Sequence, residues 1–260
     1  MMRFCSLGSG SGGNATLVEA SQGITSTRLL VDAGFSLREL VRRLTRAGCA
    51  PEDIDAVFIT HEHGDHIGCA LALAARYRLP LIMSRGSWRA VGSTDFDPAL
   101  LRIAKDGEAL PLGDMVLQPF AVPHDANEPL QLTLSDGARR LGLVTDLGCA
   151  PDDVAAALAG CRALLLECNH DEALLRAGRY HPALKQRILG SHGHLSNAAA
   201  ADLLARCLHP GLEMVAAAHL SEHNNTPDLA RAALTEALGA SAPEIRVAHP
   251  TQGLDWVALS

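Results

Sequence analysis

Six consecutive residues, His61-Glu62-His63-Gly64-Asp65-His66, follow directly on the largely apolar run Ala56-Val57-Phe58-Ile59-Thr60. Three imidazoles and two carboxylates at such density need backbone that is already ordered if they are to act together. A buried strand ending in a fixed turn supplies it. The stretch therefore predicts a strand over 56–60, a rigid turn after it, and a site to which other parts of the chain must bring partners.

Three later positions have the same character. His124 follows a β pattern in Ala121-Val122-Pro123-His124-Asp125, Asp146 closes Gly142-Leu143-Val144-Thr145-Asp146, and His219 follows the apolar run from Met214 to Ala218. Each is a polar donor where a buried strand emerges. With His61, His63, Asp65 and His66 they make seven candidate ligands, all imidazole or carboxylate, a set that suits Zn²⁺ or Mn²⁺. A closed structural zinc takes four ligands; seven fit two divalent ions sharing a carboxylate, with positions left for water. The seven cysteines (Cys5, Cys49, Cys69, Cys149, Cys161, Cys168 and Cys207) are odd in number and never in Cys-x-x-Cys spacing, so they read as reduced thiols.

Taken in order, residues 2–7 and 15–20 read as strands joined by Gly8-Ser9-Gly10-Ser11-Gly12-Gly13-Asn14. The loop matches G-x-G-x-x-G, but a β-branched pattern follows it where a dinucleotide site needs a helix. A flexible connection whose uncovered amides can approach a phosphate is the reading that remains. Residues 27–34 read as a third strand ending in an Asp32-Ala33-Gly34 turn, 37–47 as an amphipathic helix carrying Arg38, Arg42 and Arg46 on one face, 67–78 as a helix and 81–83 as a strand. Period-two patterns over 115–122, 130–134 and 140–145 predict an antiparallel meander. Helices over 154–159, 171–177, 182–189, 197–208 and 227–238 then alternate with strands at 163–166, 215–218, 245–248 and 256–259. No linker or low-complexity tract divides the chain. The expectation is one α/β (α+β) domain over 1–260, two facing sheets with helices outside, a four-layer αββα sandwich.

Hydrophobic residues are 48% of the chain but dispersed, without a run long enough for a bilayer, so no membrane partner is expected. The N-terminus lacks an export-signal pattern, which places the chain in the cytoplasm. A formal charge of −7 disfavours indiscriminate nucleic-acid coating, although it omits any bound cations. Aromatics are 3%, too few for an extended base-stacking track. Oligomeric state is not legible.

With THEHGDH at 60–66, then His124, Asp146 and His219 in that order, the chain resembles the metallo-β-lactamase fold superfamily, and Asp32 matches its early aspartate. The resemblance implies that His61, His63 and His124 hold one ion, that Asp65, His66 and His219 hold the other, and that Asp146 bridges them. Four further segments are similar to the YycJ/WalJ-type exonuclease branch, related to ribonucleases Z and J: Leu7 to Asn14, Leu166-Glu167-Cys168-Asn169-His170-Asp171, Gly193-His194-Leu195-Ser196-Asn197, and His219-Leu220-Ser221-Glu222-His223-Asn224-Asn225. Cys168 departs from the small polar residue more usual there. The interval from Asp146 to His219 is too short for the inserted domain of ribonuclease J.

What this implies is a dinuclear-metal phosphodiesterase, an exonuclease on DNA in preference to RNA. A metal-activated hydroxide would attack, Asp65 would orient or deprotonate the water, and Glu167 and His194 would assist proton delivery to the leaving oxygen. Arg176, Arg179, Lys185 and Arg187 are candidates to meet the nucleic-acid backbone. The competing reading is a small-molecule metallo-hydrolase, a thioesterase, lactonase or β-lactamase, because a metal core alone does not select a substrate. Histidine at 219, where many lactamases use cysteine, and the Glu167 and His194 segments separate the two.

Overall fold

The computed structural model describes residues 1–238 and 243–260. Its strands, in chain order, are β1 (Met2–Gly8), β2 (Ala15–Gln22), β3 (Thr25–Val31), β4 (Ala56–Phe58), β5 (Leu81–Ser84), β6 (Leu101–Ala104), β7 (Leu110–Leu112), β8 (Met115–Ala121), β9 (Leu130–Ser135), β10 (Arg140–Val144), β11 (Ala163–Glu167), β12 (Met214–Ala218), β13 (Glu244–Val247) and β14 (Leu254–Leu259). The helices are α1 (Leu37–Arg46), α2 (Gly64–Ile67), α3 (Ala70–Tyr77), α4 (Arg85–Val91), α5 (Asp152–Leu158), α6 (Glu172–Ala177), α7 (Pro182–Ile188), α8 (Asn197–Cys207) and α9 (Pro227–Leu238).

Alternation along the strands explains the layers. Val18, Leu29 and Phe58 point to one face of the first sheet and meet Leu132, Leu143, Leu165 and Ala216 of the second. Their neighbours Leu17, Leu30 and Val57 point to the other face and pack on Leu40 and Leu44 of α1 and Leu73 of α3. In the second sheet Leu164, Leu166 and Val215 turn outward onto Val154, Leu203 and Leu234 of α5, α8 and α9. Strands covered on both faces read as continuous apolar runs, which is why 163–166 and 214–218 look alike in sequence. The result is the expected αββα sandwich.

The two sheets share one pairing scheme. The first runs β14-β1-β2-β3-β4-β5-β6 and the second β7-β8-β9-β10-β11-β12-β13. From β14 and from β7 alike, three antiparallel pairings are followed by three parallel ones. β3 and β10 hold equivalent places. Each is followed by an aspartate with left-handed backbone, Asp32 at φ 62° and Asp146 at φ 57°. This internal correspondence cannot be seen in residue identities.

Several local expectations change. The third strand stops at Val31, where the expected Asp32-Ala33-Gly34 turn begins with Asp32 left-handed. The helix expected over 67–78 begins only at Ala70 as α3, while the short α2 forms within the end of the expected turn; the two are separated at Gly68 (φ 31°), where an added Cβ would lie 2.4 Å from the Ala33 carbonyl. Close approach of two backbones, not helix propensity, decides that break. Helix α4 and strands β6 and β7 went unread, being short and weakly patterned.

The arginine face of α1 is partly engaged. Arg42 pairs with Glu39, and Arg46 donates to the carbonyls of Thr251 and Leu7. Arg43, on the buried side, is the stronger anchor: its Nη1 donates to the carbonyls of Leu7 (2.7 Å) and Pro250 (2.9 Å), its Nε to Glu39 Oε1, and its guanidinium lies 3.9 Å over the Phe35 ring. Arg43→Met keeps the apolar stem but removes the side-chain donor to the Pro250 carbonyl and the shorter of the two arginine donors to the Leu7 carbonyl, so unfolding free energy falls by about 1–3 kcal/mol. Urea unfolding of the two proteins checks this; coincident midpoints would refute it.

Candidate metal and phosphodiester-hydrolysis site

The carboxyl ends of β3, β4, β10, β11 and β12 open on one edge, and each delivers a polar residue there: Asp32, the turn from His61 to His66, Asp146, Glu167 and His219. Crevices outside the carboxyl ends of parallel strands are where α/β folds gather ligands. His219, like the two aspartates, is left-handed (φ 54°). Three non-glycine residues in that region cost on the order of 1–3 kcal/mol each and turn their side chains inward, a strain that marks functional sites.

The imidazoles are oriented one by one. Thr60 Oγ1 lies 3.0 Å from both oxygens of Asp32 and from His61 Nδ1. Having given its single proton to Asp32, the hydroxyl accepts from His61 Nδ1, so His61 Nε2 keeps a lone pair. That Nε2 is buried and has no hydrogen-bond partner among the described residues. His66 Nδ1 donates to Asp32 Oδ2 (2.8 Å), and its Nε2 lies 2.9 Å from Asp146 Oδ2. His124 Nδ1 donates to the Gly193 carbonyl (3.1 Å), and its Nε2 lies 3.3 Å from His63 Nδ1. His219 Nδ1 donates to Glu167 Oε1 (3.0 Å), leaving Nε2 3.4 Å from Asp65 Oδ2. In four of the five, an oxygen behind the ring fixes Nδ1 and aims Nε2 at the centre, the usual support of a metal-ligating histidine.

Four overlapping sets result, each with its donor atoms within 4.8 Å of one another: His61, His63 and His124; His61, His66 and Asp146; Asp65, His66 and His219; and Asp146, Glu167, His194 and His219. All seven expected ligand candidates therefore meet, and Glu167 and His194 meet them. Asp146 spans the cluster, with Oδ2 toward His66 and Oδ1 3.2 Å from His219 Nδ1.

Electrostatics follow from burial and neighbours. Burial and the adjacent His66 hold His61 neutral, its pKa well below the usual range. Burial opposes charge on His66 too, but Asp146 and Asp32, one on each nitrogen, outweigh it and raise the pKa well above normal. His219 is likewise pushed up to about 10 against its burial by Asp146, Asp65 and Glu167. Burial would raise Glu167, yet His194 and His219 bring it down to about 2.

Glu167 is fully buried and saturated. Oε1 accepts from His194 Nδ1 (2.8 Å) and His219 Nδ1, and Oε2 from the amides of Leu147 (3.0 Å) and Leu195 (3.1 Å). Sequence reasoning paired it with His194 alone. Sequence reasoning also gave Ser9 and Asn14 no role. Ser9 Oγ accepts from the His219 amide (2.8 Å), and Asn14 Nδ2 reaches His66 Nε2 (3.1 Å) and the Asp65 carbonyl (3.3 Å). The glycine-rich loop thus braces the donors. The asparagine closing that loop was the available signal.

The family model described as a beta-lactamase superfamily domain matches residues 27–215. The chain belongs to the metallo-β-lactamase superfamily. Within it, the chain is 35% identical over 240 residues to a Streptococcus pneumoniae protein named exodeoxyribonuclease WalJ, covering 91% of this chain and 88% of that one. It is 34% identical over 241 residues to Bacillus anthracis exodeoxyribonuclease YycJ, covering 91% and 89%. Among solved structures, the metallo-β-lactamase fold protein YhfI of Bacillus subtilis superposes with a TM-score of 0.74 at 18% identity, over 98% of each chain, which bears on fold alone. A donor set of imidazole and carboxylate, with an unpartnered buried Nε2 at its centre, makes the cluster of this metallo-β-lactamase chain a site for divalent metal ions. Among the described residues no helix is long and apolar enough to cross a membrane.

Proposed function

We propose that the chain is a two-metal phosphodiesterase that removes nucleotides from DNA ends. The observation that carries the reading is His194, held against Asp146 and the donor cluster by a carboxylate that has no other freedom. The likeness to proteins named exodeoxyribonuclease over nine-tenths of the chain supports DNA as substrate.

On this reading His61, His63 and His124 would hold one ion, Asp65, His66 and His219 the other, and Asp146 would serve both. Bound Zn²⁺ or Mn²⁺ would supply Lewis-acid neutralisation of the scissile phosphate and acidify the attacking water. The chain's residues do the rest. Asp65, at the rim of the cluster, orients the water and takes its proton. His194 Nδ1–H is committed to Glu167, so the opposite nitrogen donates to the departing oxygen, help typically worth ~10²–10⁴-fold. Glu167 is a positioning residue that holds His194 and His219 in register.

The proton on His194 gives a pH signature. Burial lowers its pKa, but Glu167 and Asp146 more than compensate and raise it. A donor with a raised pKa is competent below that pKa and lost as pH climbs through it. Removing the Glu167 charge lowers the His194 pKa, so in Glu167→Gln the alkaline fall in kcat moves to lower pH. The rate–pH profiles of wild type and variant check this; superimposable alkaline limbs would refute it.

Digestion of end-labelled DNA and RNA with Mn²⁺ and Zn²⁺ side by side tests the function itself. The expected product is a mononucleotide from DNA. Intact DNA beside ready hydrolysis of thioesters or β-lactams would overturn the reading.

A further inference from the structure

Beside the donor cluster is a second cavity of about 250 Å³ that no step above uses. His194 forms one wall. Other parts of the lining come from α7 and its lead-in, Tyr180, Leu184, Arg187 and Ile188, and from Ser11 at the tip of the glycine-rich loop. We propose that this cavity seats a single terminal nucleotide of the DNA strand, and that its size sets the leaving fragment at one nucleotide. The inference rests on the nuclease reading and deepens it.

Position, size and lining each point the same way. His194 is both a wall of the cavity and the group assigned to the departing oxygen, so the cavity lies on the side from which the leaving fragment departs. At about 250 Å³ it is smaller than the ~300–1,000 Å³ that drug-sized ligands occupy, room for a base and part of its sugar but not for two nucleotides. Tyr180 is half-buried and braced edge-on by His223, ring centroids 6.0 Å apart, which leaves a ring face for stacking. Leu184 and Ile188 add an apolar floor.

Polar groups complete the seat. Arg187 gives its Nε to Asp125, which lies 3.5 Å from His124 and 3.9 Å from His63, so the guanidinium stands between the cavity and the donor cluster. Its two amino groups make no hydrogen bond among the described residues and suit a phosphate or sugar oxygen. Ser11 Oγ is exposed and likewise uncommitted. Two other cations on that side differ: Arg176 pairs with Glu172, and Lys185 donates to the Arg176 carbonyl. One aromatic ring in one open-mouthed cavity also accommodates a chain with few aromatics, since a single seat needs no stacking track.

The experiment uses metal-loaded full-length protein with dAMP and inorganic phosphate as probes. Wild type is expected to bind dAMP at least about tenfold more tightly than phosphate, the margin one stacked base supplies, and Tyr180→Ala to lose that margin. Leu184→Trp, which fills the cavity, is expected to lower DNA turnover at least about tenfold more than turnover of bis(p-nitrophenyl) phosphate, which needs no base seat. Equal binding of dAMP and phosphate by wild type, or an unchanged ratio of DNA to small-diester turnover in Leu184→Trp, overturns the proposal. Wild type that hydrolyses the small diester and prefers dAMP but leaves DNA intact would instead overturn the DNA-nuclease reading on which it rests.

Discussion

Asp146→Asn lowers hydrolysis of end-labelled DNA by at least about 10³-fold, some 4 kcal/mol of transition-state stabilisation. The asparagine amide matches the carboxylate in size and tolerates the left-handed backbone at this position, so the fold is retained. What is lost is the anion 2.9 Å from His66 Nε2 and 3.2 Å from His219 Nδ1, which shares one donor set with His61 and His66 and another with Glu167, His194 and His219. Elemental analysis should show fewer bound ions in the variant while circular dichroism stays unchanged. A variant with wild-type rates would mean that the activity belongs to a contaminant, or that Asp146 does not bridge.

Gly34→Ala has the second large effect, and it touches no donor. A Cβ on Gly34 would sit 1.7 Å from the Asp65 carbonyl oxygen and 2.8 Å from the Asn14 amide nitrogen. Those two atoms are hydrogen-bonded to each other at 2.8 Å, and the Gly34 amide donates to the Asn14 carbonyl at 2.9 Å. One methyl group therefore wedges the glycine-rich loop away from the His61–His66 turn. Overpacking of this kind costs about 1–3 kcal/mol. For a chain of this size that lowers Tm by roughly 2–4 °C per kcal/mol. Metal affinity falls in parallel by about 10–100-fold, as when any supporting partner of a ligand is lost. Thermal unfolding with and without Zn²⁺ measures both; a variant with native Tm and native metal affinity would show that the contact is dispensable.

These two positions mark what was readable in the sequence and what was not. Asp146 announces itself, a carboxylate directly after an apolar strand, and so do His219 and the 61–66 turn, because strand exits and local clustering are one-dimensional signals. Gly34 carries no such signal, since its requirement comes from a carbonyl 31 positions along the chain. Asn14 and Ser9 are similar, their contacts to His66 and His219 spanning 52 and 210 residues. The double load on Glu167 was hidden because two strands, β11 and β12, must first lie side by side. The sheet layers and the antiparallel meander of β8, β9 and β10 were legible from period-two alternation, whereas the shared pairing scheme of the two sheets was not, because which distant strands lie side by side leaves no local trace.

The pairing of β14 with β1 bears on how such a chain comes into being at the ribosome. Met2 lies opposite Leu259, so the first sheet carries an open edge on β1 until the last strand has been synthesised. An unpaired edge is an invitation to foreign strands, and contacts this distant in sequence form slowly. The strands that deliver the donor cluster all precede β14. The nascent protein can thus assemble its chemical centre while one edge of its first sheet is still open, and residues 254–259 act as the latch that covers it.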